Sequence, residues 1–345
     1  MKVLLLTIWH VANYGAEMQT YATVKALRKL GHEVLVLDYR LTENHGIKAR
    51  LIESLIHFTP AYRKFNAFWS KNIPSTKHYK DAIELRHNLP DADVYMVGSD
   101  QVWNPAITKD RCLDYFLSFV PEHKRRVAYA SSIGVSEWTT DRTLTTEIAT
   151  QLSKFEMISC RESDGVKVLK DIFDIDAVHV VDPTLLFADY SELTGNTRQK
   201  QTFVYYPLFG GKEMEDLCKS TASKLGLRYV NNNPQKTWLR GRTWNRLSVQ
   251  EWLRNLAEAE FVATQSFHGT AFSIINNKQF FTVYNGSKVS RIANLLDALG
   301  IRERLFPTVE AALDARPWET PINYDEVNTR LHLLRKTSWD FLKRI

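Results

Sequence analysis

The sequence predicts an α/β fold built from two doubly wound parallel sheets. Short apolar runs that suit buried strands alternate with helix-like segments along the first half of the 345 residues. The alternation stops in a polar stretch, 188–201, and then starts again. Because parallel strands need long crossover connections, two such series predict two separate sheets rather than one long one.

In the first half, the apolar runs have the length and composition of buried strands. Gly31 ends the first predicted helix, because glycine readily adopts the left-handed conformation that follows a helix C-terminus. The predicted elements are a strand at Val3–Ile8, a helix at Ala16–Leu30, and strands at Glu33–Asp38, Val94–Val97, Arg126–Ala130, Met157–Cys160 and Ala177–Val181.

The second half repeats the alternation after the polar stretch. Ser248 suits the N-cap of a helix, since its hydroxyl can accept a backbone N–H of the first turn. The predicted elements are strands at Thr202–Tyr206, Arg228–Asn231, Glu260–Ala263 and Gln279–Val283, helices at Lys212–Leu225 and Ser248–Ala257, and a final amphipathic helix at Tyr324–Ile345.

These elements predict two Rossmann-like domains with a central cleft between them. The N-terminal domain is predicted at 1–190 and is assigned the acceptor side. The C-terminal domain is predicted at 200–323 and is assigned the donor side. We expect the last helix, 324–345, to cross back to the first domain.

The segment 47–80 interrupts the first series of strands and helices. It interleaves basic residues, including Arg63 and Lys71, with aromatic residues, including Phe65 and Trp69. Such a composition favours peripheral contact with an anionic membrane surface or a cover over an active site. The alternative is a helical excursion that packs on the sheet.

Composition narrows the class of protein. A net charge of +6 is too modest to predict a nucleic-acid partner. No apolar run approaches the roughly 18 residues of a membrane-spanning helix, and the first apolar segment reads as a strand rather than a signal peptide. Three widely spaced cysteines, Cys112, Cys160 and Cys218, exclude a zinc knuckle and argue against a disulfide framework. We therefore expect a cytoplasmic protein.

A histidine lies where the strand Glu260–Ala263 gives way to a helix. Ligands of open α/β sheets bind at such junctions, and a helix N-terminus favours an anion. His268 can give or take a proton near neutral pH, while Ser266 and Gly269 are predicted to contact substrate beside it. The alternative is a histidine whose hydrogen bonds are satisfied within a core turn.

Two other strand-end loops carry candidate binding residues with polar or aromatic side chains. The loop after the first strand contains Asn13, Tyr14 and Gln19, whose polar groups can bind sugar hydroxyls, although Asn13 equally suits a helix N-cap. A single glycine there does not make a dinucleotide fingerprint. The candidates from the next loop, Gly98–Pro105, are Asp100, Gln101, Trp103 and Asn104.

Two sites supply candidate cations. Arg161 follows a predicted buried strand and can bind a carboxylate or a phosphate through two parallel hydrogen bonds. The alternative is a surface ion pair of Arg161 with Glu162 or with an aspartate. Lys288 and Arg291 lie on the connection after the strand Gln279–Val283.

Taken together, these motifs resemble those of the polysaccharide pyruvyl transferase family. One departure from the family is Ser266, where many members carry an arginine. The resemblance runs from residue 1 to about 305 and rests on Asn13–Gln19, Gly98–Pro105, Arg161–Ser163, Asp182–Leu186, Ser266–Gly269 and the segment 291–300.

The resemblance implies a fold like that of glycosyltransferases with two Rossmann domains (GT-B type). It also implies transfer of pyruvate from phosphoenolpyruvate to a sugar as a ketal, on a galactose-type residue of a lipid-linked oligosaccharide. This chemistry assigns His268 as acid and Asp100 as base, with Arg161, Arg291 and Lys288 binding the donor. No cofactor and no metal are expected. The alternatives are a nucleotide-sugar glycosyltransferase and a non-catalytic sugar-binding component of polysaccharide assembly.

Overall fold

A computed structural model describes residues 1–41, 57–234, 236–237, 243–284, 286 and 289–345. These residues form two compact units. The first unit contains residues 1–41, 70–187 and 332–345, and the second contains 57–69 and the described part of 188–331. The chain therefore passes from the first unit to the second and back more than once.

The first half of the chain contains seven strands, all short, with helices between most of them. Two 3-10 turns, Lys109–Arg111 and Leu113–Phe116, lie before the fifth strand. The elements are β1 (Lys2–Leu6), α1 (Tyr14–Lys29), β2 (Glu33–Asp38), α2 (Pro60–Asn72), β3 (Ser75–His78), α3 (Ala82–His87), β4 (Val94–Val97), α4 (Pro105–Thr108), β5 (Arg125–Ser131), α5 (Arg142–Leu152), β6 (Met157–Cys160), α6 (Ser163–Phe173), β7 (Val178–His179) and α7 (Pro183–Phe187).

The second half contains a second series of strands and helices, plus a small hairpin. The elements are α8 (Ser191–Thr194), β8 (Thr202–Tyr206), α9 (Lys212–Lys224), β9 (Arg228–Asn231), β10 (Lys236–Thr237), β11 (Thr243–Asn245), α10 (Val249–Glu258), β12 (Phe261–Thr264), α11 (Phe267–Ile275), β13 (Gln279–Val283), α12 (Val289–Leu299), β14 (Leu305–Phe306), α13 (Val309–Ala315) and α14 (Tyr324–Leu342).

The two main sheets are parallel throughout. The first has the strand order β3-β2-β1-β4-β5-β6-β7, and the second has the order β14-β13-β12-β8-β9. The order reverses between β1 and β4 in the first sheet and between β8 and β12 in the second, where doubly wound sheets bind their ligands. The predicted α/β class with two Rossmann-like sheets is confirmed.

Local signals position several helices as predicted. The Asn13 carboxamide oxygen accepts the N–H groups of Gly15 and Ala16, so α1 begins two residues earlier than the apolar pattern indicates. Ser248 and Glu251 form a reciprocal capping box at the start of α10. Gly31 follows α1 with φ of +85°. Each cap satisfies backbone groups that the helix leaves unpaired.

The apolar strands form the cores of both units. β1, β4 and β12 are buried at nearly every position, as expected for central strands with helices on both faces. Sequence reasoning missed the edge strands β3 and β14 because β3 is polar and β14 has two residues. All three cysteines are free and buried.

The helix α2 is the described part of the basic and aromatic segment; residues 47–56 lie outside the described residues. Its aromatic side chains Phe65, Phe68 and Trp69 are buried. Lys64 donates to the Arg246 carbonyl at 2.8 Å, and the Arg246 guanidinium lies 5.0 Å from the Phe65 ring. The expectation that these aromatics face a membrane is wrong, because they pack inside the second unit.

The last helix, α14, contributes residues to both units. Its first turn lies in the second unit, where the Tyr324 hydroxyl donates to the Lys278 carbonyl. Its later turns lie in the first unit, where Ser338 accepts the Val181 N–H and Arg335 donates to the Leu185 carbonyl. No helix among the described residues is both long and apolar enough to cross a membrane.

Replacing Phe65 by Ala should destabilise the second unit, because the Phe65 ring is fully buried. Removing a buried phenylalanine side chain costs about 3–5 kcal/mol. Scanning calorimetry should therefore show a lower melting temperature for F65A. The exposed neighbour Arg63 provides the control, since R63A should melt like the wild type. Equal melting of F65A and the wild type would contradict the packing described for α2.

Candidate functional site

A buried ion pair lies at the carboxyl ends of β6 and β7. Arg161 follows β6, and its Nη1 donates to the Asp182 Oδ2 at 2.7 Å. The two side chains are 2% and 0% exposed. Arg161 was predicted to bind substrate directly, but its guanidinium is enclosed and already bonded to a carboxylate. The alternative of a surface ion pair is right only in that the partner is an aspartate, because the pair with Asp182 is buried.

Asp182 is the centre of the polar network around this pair. Its Oδ2 also accepts the Ser99 hydroxyl at 3.1 Å. Its Oδ1 accepts the backbone N–H of Thr184 at 2.9 Å and the Thr184 hydroxyl at 2.6 Å. One carboxylate therefore joins the loop after β4, the loop after β6 and the start of α7.

Glu162 is a second buried carboxylate beside Arg161. Its Oε1 accepts the Ser132 hydroxyl at 2.9 Å and the N–H groups of Ile133 and Gly134 at 2.8 and 3.0 Å. It thereby fixes the loop after β5. Burial alone lowers the pKa of the Arg161 guanidinium, but Asp182, Asp100 and Glu162 together raise it above its ordinary value.

Asp100 is the most exposed carboxylate of this group. Its Oδ1 lies 3.8 Å from Arg161 Nη2, and its side chain is 18% exposed. Its backbone has φ of +69°, a left-handed conformation that costs a non-glycine residue energy. The Asp100 carbonyl accepts the N–H groups of Val102 and Ser132, which hold this conformation in place. Asp100 is therefore a partly exposed carboxylate held in a fixed conformation beside a buried cation.

The other predicted binding residues of the first unit have structural partners. Asn104 is the N-cap of α4, and its Nδ2 lies 3.4 Å from the Gln101 Oε1. Trp103 is fully buried, stacks on Phe116 and donates to the Tyr115 carbonyl at 3.1 Å. The prediction that Trp103 contacts a sugar is therefore wrong, because its ring belongs to the core.

The residues predicted to bind substrate in and after the loop that follows β1 are also engaged within the protein. Asn13 is the N-cap of α1, so the capping alternative given for it is confirmed. Tyr14 is fully buried. The buried Gln19 Nε2 donates to the Thr7 hydroxyl and to the Ile8 carbonyl, at 3.0 and 3.1 Å. Tyr14 and Gln19 were predicted to bind substrate, but their side chains instead support the loop.

The second unit contributes a separate group of residues at the carboxyl end of β12. His268 is the second residue of α11, is 7% exposed, and its ring meets that of Phe267 edge to face at 5.1 Å. The Arg291 guanidinium, in the first turn of α12, lies 6.0 Å from the same Phe267 ring. An imidazole and a guanidinium therefore flank one aromatic ring at the start of two helices.

Ser266 and Gly269 shape this helix start. The Ser266 hydroxyl caps α11 by accepting the Gly269 N–H. A Cβ at Gly269 would lie 2.1 Å from the Thr264 hydroxyl and 2.9 Å from the Tyr206 ring. Both residues were predicted to bind substrate. The structure gives them a different role, since the glycine lets α11 approach the sheet closely and the serine caps the start of α11.

The structure thus places Asp100 and Arg161 together in the first unit, and His268 and Arg291 together in the second. Lys288 lies outside the described residues. That all four residues share one cleft stays a prediction. No group of three or more His, Cys, Asp or Glu side chains within the described ranges is arranged to hold a metal ion.

Asp182 and Glu162 were missed as site residues. Both directly follow strand and loop positions that the sequence analysis singled out. The available signal was two acidic residues, at the ends of adjacent predicted strands, in a region with one arginine. Buried arginines need such partners, because an isolated ion in the interior is strongly unfavourable.

A further titratable group lies at the carboxyl ends of β1, β2 and β3. Asp38 accepts two hydrogen bonds from Arg40 at 2.7 Å and lies 3.2 Å from the His78 Nδ1. His10, with φ of +61°, lies beside them. Burial, and then the Arg40 charge, lower the pKa of His10 from 6.5 to about 4.

Replacing Asp182 by Asn should destabilise the first unit, because the Arg161 charge loses its bonded partner. Removing one member of a buried pair costs about 3–5 kcal/mol. We expect a clear drop in the melting temperature of D182N. The exposed pair of Lys170 and Asp174 gives the control, since D174N should melt almost like the wild type. Similar melting of the two variants would show that the buried pair contributes little.

His10 should make stability depend on pH. A histidine with a folded pKa below its unfolded value stabilises the protein fully above about pH 6.5, and this stability is lost as pH falls toward 4. Replacement by Asn, which tolerates left-handed backbone, should therefore flatten the fall in melting temperature between pH 6.5 and 4. The exposed His123 is the matched control, and an unchanged pH profile for H10N would refute the assignment.

Among solved structures, the chain is similar to glycosyltransferases and to a putative epimerase. An alpha-glucosyltransferase in complex with UDP shares 10% identity at a TM-score of 0.48, over 99% of this chain and 95% of that chain. A putative UDP-N-acetylglucosamine 2-epimerase from Listeria monocytogenes shares 11% at 0.48, over 100% and 90%. The SsfS6 glycosyltransferase from Streptomyces sp. SF2575 shares 14% at 0.43, over 98% and 95%. At such identities the likeness concerns the fold alone.

No curated protein matches the chain. The family model described as polysaccharide pyruvyl transferase matches residues 13–287. This range includes the loops that carry Asp100, Arg161 and His268. Because the match spans well over half of the sequence, this chain belongs to the polysaccharide pyruvyl transferase family.

Proposed function

We propose that this chain transfers pyruvate from phosphoenolpyruvate to two hydroxyls of one sugar, as a ketal, during synthesis of a capsular, extracellular or cell-surface polysaccharide. Membership of the family supports a pyruvyl transferase. The observation that carries the specific reaction is His268, a nearly buried imidazole in the first turn of α11 that contacts the same Phe267 ring as the Arg291 guanidinium. An acid beside a cation suits a donor that carries two anionic groups.

The reaction proceeds by two additions at C2 of the donor. One sugar hydroxyl forms a bond to C2 and gives its proton to a base, while C3 gains a proton from an acid and becomes a methyl group. The bond between C2 and the phosphate oxygen then breaks, and phosphate leaves with the electron pair. The second hydroxyl adds to the resulting oxocarbenium-like carbon, and its proton passes to a base. The steps need an acid, a base and stabilisation of the leaving phosphate.

We assign these roles to residues of both units. His268 protonates C3, and Asp100 accepts the hydroxyl proton. Arg291, Lys288 and the N–H groups at the start of α11 bind the carboxylate and phosphate of the donor. Arg161 acts as a positioning residue, because its bond to Asp182 holds its guanidinium 3.8 Å from Asp100.

The proposed acceptor is a galactose-type residue on a lipid-linked oligosaccharide. The exposed basic residues Arg63 and Lys71 of α2 support a peripheral contact with an anionic membrane surface, now without the aromatic side chains. Three free cysteines suit a cytoplasmic location.

The reaction is tested by incubating the protein with phosphoenolpyruvate and a galactose-terminated oligosaccharide glycoside. We expect release of phosphate and a gain in glycoside mass equal to one pyruvyl ketal. Replacing His268 by Ala should lower turnover about 10²–10⁴-fold, the usual loss when a general acid is removed. The exposed His123 gives a matched control, since H123A should keep wild-type turnover.

Two outcomes would contradict the proposal. Release of UDP from UDP-glucose or UDP-galactose with sugar transfer, and none of phosphate from phosphoenolpyruvate, would indicate a nucleotide-sugar glycosyltransferase. Normal turnover of H268A, with the fold intact by circular dichroism, would show that His268 is a structural residue of the turn.

A further inference from the structure

A cavity of about 540 Å³ opens at the carboxyl end of the second sheet. It lies among the loops that follow β8, β12, β13 and β14, beside the point where the strand order reverses. Neither His268 nor Arg291 lines it. The six side chains that matter for its chemistry are Phe209, Lys212, Glu213, Gln265, Tyr284 and Glu310.

Two aromatic rings form one wall of this cavity. Phe209 is 70% exposed, which is unusual for a phenyl ring that makes no large apolar patch. Its centroid lies 5.6 Å from that of Tyr284, and the two planes are inclined at 51°. An exposed ring backed by a buried one offers a flat apolar face of the kind that sugar rings cover with their C–H groups.

The polar residues of the cavity favour a ligand with many hydroxyls. The carboxylates of Glu213 and Glu310 accept O–H groups, and the Lys212 ammonium donates to oxygen. Glu310 is exposed, and a backbone hydrogen bond lowers the pKa of its carboxyl group, so it stays ionised. Two carboxylates against one ammonium give the wall a net negative charge. A dianion such as phosphoenolpyruvate is therefore disfavoured, whereas a neutral sugar is not.

Two amide side chains hold the loop that carries Phe209: Asn233 Nδ2 donates to the Pro207 carbonyl at 3.3 Å, and Gln265 makes the other bonds. The Gln265 Oε1 accepts the N–H groups of Leu208 and Phe209, both at 3.4 Å, and its Nε2 donates to the Gly210 carbonyl at 3.3 Å. Gly211 has φ of +114°, which only glycine adopts readily. The ring is thus presented by a fixed turn, which reduces the entropy lost when a ligand binds.

We propose that this cavity is a carbohydrate-binding site that holds a neutral stretch of an oligosaccharide, apart from the residues assigned to pyruvyl transfer. Phe209 stacks on one sugar ring, and Glu213 and Glu310 bind its hydroxyls. The inference rests on the proposed function at one point only. That point is the identification of this oligosaccharide with the acceptor chain, which deepens the proposed function. The binding itself needs neither phosphoenolpyruvate nor turnover.

The test is saturation-transfer NMR and calorimetry on the full chain with cellopentaose, maltopentaose and a galactose-terminated pentasaccharide. The wild type should bind at least one of them. Phe209→Ala and Glu310→Gln should each weaken that binding about tenfold or more, as expected for the loss of a central contact. Phe58 provides the matched control, because its ring is 66% exposed and lies outside the cavity, so F58A should bind like the wild type.

Three results would overturn the inference. The first is binding of none of the three oligosaccharides by the wild type. The second is equal binding by F209A, F58A and the wild type. The third is binding of phosphoenolpyruvate that disappears in F209A, which would make the cavity an anion site. Each readout is independent of pyruvyl transfer, so a failure here and a failure of the proposed reaction are distinguishable.

Discussion

The buried pair of Arg161 and Asp182 is the constraint on which the first unit's candidate site depends. Two ions removed from water are favourable only when every charge has a bonded partner, and this pair meets that condition through Ser99 and Thr184. The loops after β4, β6 and β7 are therefore fixed relative to one another. Asp100 comes next in the chain after Ser99, and the Val102 and Ser132 N–H groups that its carbonyl accepts hold its left-handed conformation.

In the second unit, hydrogen bonds between hydroxyl and backbone groups order the turn at the end of β12. At the end of β12, the Thr264 hydroxyl donates to the Tyr206 carbonyl and accepts the Ser266 N–H, each at 3.1 Å. Ser266 in turn caps the helix that carries His268. Neutral hydroxyls cost less to bury than charges, so this turn can pack tightly, and Gly269 lets it do so. The His268 imidazole therefore lies at the start of a helix that packs closely on the sheet.

The sequence predicted the sheets better than the roles of polar side chains. Central strands are apolar and buried on both faces, so β1, β4 and β12 were recognisable from a short run of residues. Asn13 and Asn104 follow such strands, but a helix N-cap and a ligand contact demand the same residue types at the same positions.

Long-range partners account for the other differences. Trp103 and Arg161 were assigned to binding because nothing in the local sequence shows what covers them. Phe116 and Asp182 do so from 13 and 21 residues away. The same limitation applies to α2, whose aromatic residues pack against side chains such as Arg246 that lie far along the chain.

The two main sheets share one strand order over five strands. Removing the edge strands β3 and β7 from the first sheet leaves the order β2-β1-β4-β5-β6, which corresponds strand by strand to β9-β8-β12-β13-β14. In this correspondence β4 matches β12, so Asp100 and His268 occupy equivalent loops. The halves share no visible sequence repeat, yet the common strand order places a carboxylate in one unit and an imidazole in the other at the corresponding loop.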